Sequence, residues 1–334
     1  MKLKKHFIVV TLVLCFLPVL YAIYSSKAII GLNNLEDRIA HINAFVDIYL
    51  KLKSSINPNP IPMSVRKGKD GWFFLGDNYA NVYSKSLNLI PTNEEKIKKT
   101  AHQIDSLKRF SESLGCTFYF AVGPNKHTIY PEFLPQKALP SKSKEIDLLK
   151  RKLLMEHDID LIDMKEYIIP LKDSIDLYYK TDSHWNEYGA FLGAKKVIEH
   201  INQDYLSVQK LDIHDFIFEE FVYDQGGLTK MLKQHILETQ YHITLKDSSF
   251  IKETKQQLKS YYCHRYYNPT KKLKLLIIGD SFWDNMAKFF ANTFGEVYKV
   301  HVKDFNYSIL IEERPDILLL ELVERDCADL PFFE

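Results

Sequence analysis

The stretch Leu275-Leu276-Ile277-Ile278-Gly279-Asp280-Ser281-Phe282 joins a run of aliphatic residues to a Gly-Asp-Ser turn. A short apolar run of this kind is typical of a strand buried on both faces of a parallel sheet. Since a helical pattern follows the turn, we expect Ser281 at the carboxyl end of the sheet, where ligands bind in α/β folds. A turn that merely caps a helix would use the same residue types, so this stretch alone leaves both interpretations open.

Strands alternate with helices on both sides of this stretch, which predicts an α/β/α sandwich of three layers around a central, mainly parallel sheet. Between the helix after residue 187 and the strand at 273, the stretch 203–272 is less regular. The predicted order is a helix ending at Leu114 and begun by a capping box of Thr92 and Glu95, strand 117–122, helix 142–156, strand 159–164, helix 188–201, strand 273–278, helix 282–293, strand 296–302, a helix near Ser308 and strand 317–323.

The N-terminus pairs lysines with a long uncharged apolar run. Three lysines among the first five residues precede Phe7–Tyr24, a run of about 18 residues. This length reaches the lower limit for crossing a bilayer and exceeds the usual core of a signal peptide. We therefore expect an uncleaved transmembrane signal anchor in a bacterial inner or cytoplasmic membrane, with everything after Ser25 periplasmic or otherwise outside the cytoplasm. Cleavage after Ala22 or Ala28 is the alternative.

Three parts are predicted along the chain. Residues 1–27 form the cytoplasmic stub and the anchor, residues 28–64 a helical stalk with a proline-rich linker, and residues 65–334 the globular domain. Helical spacing of apolar residues indicates the stalk, and the run Asn57-Pro58-Asn59-Pro60-Ile61-Pro62 cannot continue a helix. The globular domain is expected to open with a glycine-bounded turn and a short aromatic strand near Trp72.

Composition excludes several classes of protein. With 44 Lys and Arg against 43 Asp and Glu, the net charge of +1 gives no electrostatic footprint for a nucleic acid. The 46% hydrophobic and 26% charged residues are ordinary for a folded chain. Cys15 lies in the predicted anchor, and Cys116, Cys263 and Cys327 form no CxxC pair. At most one disulfide is plausible, and neither a zinc site nor a cofactor is expected.

A serine nucleophile needs a base that removes its proton and a group that orients the base. The polar segment Tyr179-Lys180-Thr181-Asp182-Ser183-His184-Trp185 offers both, since Asp182 and His184 stand two residues apart just before a predicted helix. In an extended or turn segment, Asp182 can hold the imidazole while His184 faces Ser281. A metal site would need a third ligand at suitable spacing, and His200 is too far along the helix to supply it. A surface histidine beside a helix-capping aspartate is the remaining alternative.

Several blocks of the chain together resemble the SGNH/GDSL hydrolase fold in its alginate O-acetyltransferase-like branch, the AlgJ/AlgX type. The resemblance spans about Lys67 to Arg325, and the combination of Asp-x-His-Trp with a later Gly-Asp-Ser-Phe is its most specific element. The matching blocks are Gly68-Lys69-Asp70-Gly71-Trp72-Phe73-Phe74, Val122-Gly123-Pro124-Asn125-Lys126-His127-Thr128-Ile129-Tyr130-Pro131, Thr181-Asp182-Ser183-His184-Trp185, Gly279-Asp280-Ser281-Phe282 and Glu321-Leu322-Val323-Glu324-Arg325.

This resemblance implies O-acetylation of an exported cell-surface polysaccharide or exopolysaccharide. It makes Ser281 the nucleophile, His184 the general base and then acid, and Asp182 the orienting carboxylate. It also implies a partner, a multi-spanning membrane acyltransferase that delivers acetyl groups from the cytoplasm. Lysines spread along the whole domain give no concentrated cationic groove for a polyuronate, so a neutral glycan is possible as the acceptor.

Four further residues are candidates for the oxyanion or substrate site. Asn125 and Lys126 follow a buried strand and should share the carboxyl edge with Ser281. Tyr179 and Trp185 could line a sugar site, although packing beside the loop suits both. The same residues would also serve an extracytoplasmic carbohydrate acetyl esterase, which differs only in using water as acceptor. A non-catalytic scaffold of a polysaccharide export complex is the third hypothesis, and the presence of all three triad residue types opposes it.

Overall fold

A computed structural model describes residues 64–135, 145–327 and 330 of the chain. The chain divides into two units, Met1–Ile61 and Pro62–Glu334, and all described residues belong to the second. The predicted anchor, stalk and linker therefore lie outside the described residues, except for Ser64 at the end of the linker. Within the described ranges, no helix combines the length and the apolar character that a membrane span requires.

The strands form one large sheet and two small hairpins. The seven-stranded sheet has the order β4-β3-β11-β9-β10-β8-β7, and the hairpins pair β1 with β2 and β5 with β6. Its first five strands run parallel, whereas β8 and β7 are added antiparallel at one edge. The strands are β1 Val65–Lys67, β2 Phe73–Leu75, β3 Thr117–Gly123, β4 Leu161–Asp163, β5 Phe216–Tyr223, β6 Glu238–Leu245, β7 Lys252–Gln257, β8 Tyr262–Tyr267, β9 Lys274–Gly279, β10 Glu296–His301 and β11 Ile317–Val323.

Helices connect the parallel strands and cover the sheet. The α-helices are α1 Val82–Ser86, α2 Glu94–Ser113, α3 Lys126–Ile129, α4 Glu145–His157, α5 Lys165–Ile168, α6 Glu187–Asp204, α7 Gly227–Met231, α8 Ala287–Ala291 and α9 Tyr307–Glu313. Short 3₁₀ segments occupy Pro131–Phe133, Ile169–Leu171, Ile213–Asp215, Ser281–Asn285 and Glu324–Asp326.

Alternation along the central strands divides the core into two layers. Leu275 and Ile277 of β9 face one cluster, which includes the apolar residues of α6 and α8. Leu276 and Ile278 face the other, to which α2, α4 and α9 contribute. Because both faces of β9 are covered, nearly every residue of the strand is apolar. This arrangement confirms the predicted α/β/α sandwich with a mainly parallel sheet.

Strand order places three loops side by side at the carboxyl edge of the sheet. The chain leaves the centre after β3, returns on the other side as β9, and inserts β11 between these two strands. Gly279, Val323 and Gly123 end the three neighbouring strands. Ligands bind outside the carboxyl ends of strands where the strand order reverses, so the loops after these glycines and Val323 enclose the expected site.

Two predicted helices differ in the structure. The side chain of Asn93, rather than a capping box of Thr92 and Glu95, caps α2, because its Oδ1 accepts the N–H of Lys96 at 3.0 Å. The helix predicted at 282–293 divides into the 3₁₀ segment Ser281–Asn285 and the short α8, since Met286 donates to the carbonyl of Trp283 at 2.7 Å. The tighter turn sets the backbone immediately after the nucleophile candidate.

The stretch 203–272 contains four strands, although the sequence indicated none. All six residues of β7 are exposed, so β7 has no alternation of apolar and polar residues that would reveal a strand. Only one residue of β5, Phe216, is buried. These strands form through backbone pairing with a neighbour, and Lys252↔Tyr267 is one such pair.

Candidate functional site

The carboxyl edge brings together the three residues that the sequence proposed for catalysis. The Oγ of Ser281 lies 2.8 Å from Nε2 of His184. On the other side of the ring, Nδ1 of His184 lies 2.7 Å from Oδ1 of Asp182. Ser281 is exposed, His184 is partly exposed and Asp182 is buried. A hydroxyl, an imidazole and a carboxylate in this order can pass a proton from the serine to the histidine while the carboxylate orients the ring.

The side chain of Asp280 holds the turn around Ser281 through two hydrogen bonds to the backbone. One carboxylate oxygen of Asp280 accepts the N–H of Phe282 at 2.8 Å, and the other accepts the N–H of Val323 at 2.7 Å. Asp280 therefore connects the end of β9 to the end of β11. The N–H of Ser281 itself makes no hydrogen bond among the described residues, and this leaves it available to a ligand that approaches Oγ.

Beneath this turn, Glu321 of β11 is fully buried beside Gly279, and neither of its carboxyl oxygens has a partner among the described residues. A Cβ on Gly279 would lie 3.2 Å from the Oε2 of Glu321, so the glycine makes room for this carboxyl group. Burial and the neighbouring charge of Asp280 raise the pKa of Glu321 well above its usual range, which favours the protonated carboxyl group.

The segment that carries Asp182 and His184 is a closed loop at the entrance to α6. Tyr178 and Trp185 pair across it as an antiparallel bridge, and the N–H of His184 donates to Oδ1 of Asp182 at 3.1 Å. The two side chains are thus aligned by a local turn of the kind that aspartate favours. Asn186, rather than Asp182, caps α6 by accepting the N–H groups of Tyr188 and Gly189.

The second carboxylate oxygen of Asp182 is held by the end of β5 and the start of α7. The N–H of Gly227 donates to Oδ2 at 2.6 Å, and the hydroxyl of Tyr223 lies 3.4 Å away. Burial opposes the charge of Asp182, but the hydrogen bonds and charge of His184 and the N–H of Gly227 outweigh it and hold the pKa of Asp182 well below its usual range. Asp182 is therefore an anion that faces the imidazole throughout the physiological pH range.

Backbone groups of the same loop are fixed by a buried cation and a carboxylate. The ammonium of Lys126 is fully enclosed, with the carbonyls of Phe73, Tyr179, Lys180 and Asp182 at 2.6, 2.6, 2.9 and 2.9 Å respectively. Burial lowers the pKa of Lys126 to about 7, against the opposing attraction of Glu238 and Asp182. Lys126 therefore lies below the loop, and its ammonium is directed at backbone oxygens.

The carboxylate of Glu238 binds the opposite polar groups of this loop. It accepts the N–H of Lys180 at 2.8 Å and the N–H of Thr181 at 3.0 Å, and the Thr181 hydroxyl also donates to it. Lys126 thus binds carbonyl groups of the loop, and Glu238 binds its N–H groups. The two residues together leave the backbone on the N-terminal side of Asp182 little freedom to move.

The two aromatic candidates occupy different positions. Tyr179 is largely buried and stacks on Tyr223 with ring centroids 4.0 Å apart, and both rings line the cleft at Ser281. Trp185 is fully buried, and its Nε1 donates to the carbonyl of Phe282 at 3.0 Å. Trp185 therefore connects the histidine loop to the serine turn inside the core, while Tyr179 borders the cleft.

Asn125 lies at the same edge but in another cavity. Its N–H donates to Glu324 at 2.9 Å, and its buried Oδ1 has no partner among the described residues. It lines a cavity of about 400 Å³, whereas Ser281 lines a separate cleft of about 230 Å³. Two strand spacings, about 10 Å of backbone separation, lie between the ends of β3 and β9.

Sequence reasoning missed four residues that complete the cleft or its support. Asp284 and Asn285 line the cleft beside Ser281, and Tyr223 and Gly227 hold Asp182. The adjacent glycines at 226 and 227 were an available signal, because such a pair permits close approach of one backbone to another. A Cβ on Gly227 would lie 2.9 Å from Oδ2 of Asp182.

Comparisons with known structures agree with this fold. The PatB1 structure from Bacillus cereus superposes with a TM-score of 0.63 at 17% identity, covering 81% of this chain and 99% of that one. The O-acetyltransferase domain of Pseudomonas putida AlgJ gives a TM-score of 0.55 at 15% identity, covering 80% and 93%. A DHHW family protein from Eubacterium siraeum gives 0.53 at 16% identity, covering 69% and 85%. At these identities the similarity establishes the fold alone.

A comparison with curated proteins gave no significant match. The family model described as SGNH hydrolase-like domain, acetyltransferase AlgX, matches residues 65–303. This range holds β1 through β10 and all three residues of the Ser281–His184–Asp182 arrangement. Since the match spans well over half of the chain, the protein belongs to the ALGX family of SGNH hydrolase-like acetyltransferase domains.

Proposed function

We propose that the protein is an O-acetyltransferase that modifies an exported cell-surface polysaccharide or exopolysaccharide through an acetyl ester on Ser281. The observation that carries this proposal is the continuous contact from Ser281 Oγ through the His184 ring to Asp182, with distances of 2.8 and 2.7 Å. Membership of the ALGX family supports acetyl transfer as the reaction. AlgJ from Pseudomonas putida, which shares the fold, is described as an O-acetyltransferase.

The proposed reaction has two halves. His184 removes the proton of Ser281 Oγ, which attacks the carbonyl carbon of the acetyl donor, and the leaving group departs with the proton returned by His184. In the second half His184 takes the proton of a sugar hydroxyl, whose oxygen attacks the acetyl ester. The acetyl group then moves to the sugar, and His184 returns the proton to Ser281 Oγ. Asp182 stabilises the imidazolium that forms in each half.

The negative oxygen of each tetrahedral intermediate needs hydrogen-bond donors. We assign the N–H of Ser281 as one donor, because it has no acceptor among the described residues and belongs to the attacking residue. Asn125 stays a proposed substrate contact at the same edge of the sheet, although it lines a cavity separate from the cleft at Ser281. We propose no substrate contact for Lys126, whose three N–H donors face four backbone carbonyls.

The proposed setting follows from the N-terminal sequence. We propose a single-pass protein of the bacterial cytoplasmic membrane whose domain faces the periplasm or another space outside the cytoplasm. No acetyl-coenzyme A would be present there, so we propose a multi-spanning membrane acyltransferase as the source of acetyl groups. An anchor of this kind would hold Ser281 close to such a donor.

Hydrolysis of acetyl esters is a second candidate function. Ser281 is exposed, so water can reach an acetyl ester formed on it as readily as a sugar hydroxyl can. An acetyl esterase would use the same three residues in the same roles, and only the second acceptor differs.

The first experiment compares Ser281→Ala with the wild type in turnover of 4-nitrophenyl acetate. We expect the variant to lose turnover and to keep its fold, because the nucleophile is exposed and its side chain fills no core position. Ser308→Ala is the matched control, since Ser308 is an exposed serine at the start of α9. Full turnover in Ser281→Ala would refute the proposed nucleophile.

The second experiment separates transfer from hydrolysis. The protein is incubated with an acetyl ester and an oligosaccharide, and the products are identified by mass spectrometry. We expect acetylated oligosaccharide that disappears in Ser281→Ala. Free acetate as the only product would show that hydrolysis is the activity.

A further inference from the structure

A second hollow continues the cleft at Ser281 on its Asp284 side. The cleft itself measures about 230 Å³, which is small for a polymer, and its wall includes Asp284 and Asn285. The same two residues line the neighbouring hollow of about 470 Å³. A chain molecule whose hydroxyl reaches Ser281 can therefore continue past Asn285 into this larger space.

Three elements that the proposed chemistry does not use form the wall of the hollow. Glu187 begins α6, Lys288 belongs to α8, and the hairpin of β7 and β8 contributes Glu253, His264 and Tyr266. The hairpin extends the parallel sheet at one edge; β7 is exposed along its whole length, and four of the six residues of β8 are buried or half-buried. The hollow that the hairpin lines shares Asp284 and Asn285 with the cleft at Ser281, so a molecule that extends from the cleft would reach these polar strands.

Charges on this wall are already paired with one another. Lys288 donates to Glu187, and Lys255 lies 3.4 Å from Glu253. His264 also contacts Glu253, with Nδ1 3.1 Å from Oε1. Among the described residues, no lysine or arginine that lines the hollow lacks a carboxylate partner. An incoming carboxylate would thus meet acidic groups without finding a cation to pair with.

Hydroxyl groups suit such a wall better than carboxylates do. A sugar hydroxyl can donate to a carboxylate oxygen and accept from an ammonium without disrupting the ion pair between them, and hydrogen bonds to charged groups are the stronger kind. The hydroxyl of Tyr266, 3.1 Å from the Glu253 carboxylate, adds a further polar group. Tyr266 is partly exposed and lines the hollow.

We infer that this hollow, which we call the acceptor groove, binds the glycan acceptor and selects neutral sugar units over uronic acids. The inference rests on the proposed function, because it concerns the substrate of the same site. It assigns the β7–β8 hairpin to substrate specificity, with Glu253 as the residue that pairs Lys255 and contacts His264 and thereby disfavours negative charge.

Binding measurements test the acceptor groove without requiring turnover. The full chain carrying Ser281→Ala is titrated calorimetrically with a neutral hexose oligosaccharide and with a hexuronate oligosaccharide of equal length. We expect the neutral oligosaccharide to bind at least about tenfold more tightly, a difference of about 1.4 kcal/mol. Adding Glu253→Ala should weaken neutral binding about tenfold. Glu220→Ala, which removes an exposed carboxylate from β5 on the other hairpin, is the matched control.

Charge selection is tested with Glu253→Gln, which keeps the shape of the side chain and leaves Lys255 and His264 without their carboxylate. In this variant the preference should move toward the hexuronate by about tenfold, and a melting curve checks that the fold is retained. The inference is overturned if the hexuronate binds as well as the neutral sugar to the Ser281→Ala protein, if neither binds, or if both Glu253 variants leave the affinities unchanged. If the wild type showed no ester turnover, the proposed function would be refuted, whereas the measured affinities would still test the acceptor groove.

Discussion

Replacement of Lys126 by methionine tests whether this lysine supports the loop or touches a substrate. The variant keeps the apolar stem of the side chain and removes its ammonium, which contacts four carbonyls at 2.6 to 2.9 Å. Each buried acceptor left without a donor lowers the stability by about 1–3 kcal/mol. Part of this loss is offset, because the variant no longer has to bury a cation. We expect a net loss of about 3 kcal/mol in the free energy of unfolding.

At about 2–4 °C per kcal/mol for a domain of this size, that loss lowers the Tm by about 6–12 °C. Thermal unfolding by circular dichroism measures it. Lys180→Met is the matched control, because the Lys180 ammonium is near the surface and pairs with Asp176 at 3.0 Å. A partly exposed pair of this kind contributes about 1 kcal/mol or less. We also expect a lower kcat for Lys126→Met in ester turnover, since the backbone before Asp182 loosens.

The pH dependence gives an independent check on the same residue. The pKa of Lys126 is lowered to about 7 in the folded chain, whereas an unfolded lysine keeps its proton to about pH 10. Between these values the folded chain binds fewer protons, so this group makes the free energy of unfolding rise with pH. Lys126→Met should lack this rise. An unchanged Tm together with a raised KM would refute the structural role and make Lys126 a substrate contact.

Three further changes test the support of the site. Gly227→Ala places a Cβ 2.9 Å from Oδ2 of Asp182, so we expect kcat for ester turnover to fall by about tenfold or more with a Tm change of only a few degrees. Ionised Asp182 contributes stability above the pKa of an unfolded aspartate, about 3.9, and this stability is lost as the pH falls through its lower folded pKa, so Asp182→Asn should flatten the acid limb of the unfolding free energy. Because the pKa of Glu321 is raised in the folded chain, the stability that this carboxyl group contributes is fully present below its unfolded pKa of about 4.3 and is lost as the pH rises. Glu321→Gln should therefore gain stability relative to the wild type above about pH 4.3, as measured by urea unfolding at several pH values.

The central strands and the proximity of Ser281, His184 and Asp182 could be predicted from the sequence because both follow from simple rules. β3, β9 and β11 are nearly all apolar, as burial on two faces demands, and residues after parallel strands share one edge. His184 and Ser281 were expected to lie close together because both were placed at that edge of the sheet. Their spacing along the chain, 97 residues, carried no such information by itself.

Other parts of the site could not be predicted because they depend on contacts between distant segments. Lys126 is a charged residue, and its burial depends on carbonyls from Phe73 and from the loop ending at Asp182. β7 has only exposed residues and forms through backbone pairing, which leaves no pattern of apolar side chains. The sequence shows which residues are polar, but the acceptors of a buried ammonium are backbone atoms that every residue possesses.

The ammonium of Lys126 connects parts of the chain that lie far apart in sequence. Phe73 precedes it by 53 residues, and its other three partners follow it by 53 to 56 residues. A shortened protein that begins after the β1–β2 hairpin would retain every residue of the Ser281 cleft and lose one wall of this cage. Trimming of the N-terminus for expression or crystallisation should therefore stop before Val65, because a fragment that keeps Ser281, His184 and Asp182 but lacks Phe73 loses a carbonyl that holds Lys126 beneath the loop of Asp182 and His184.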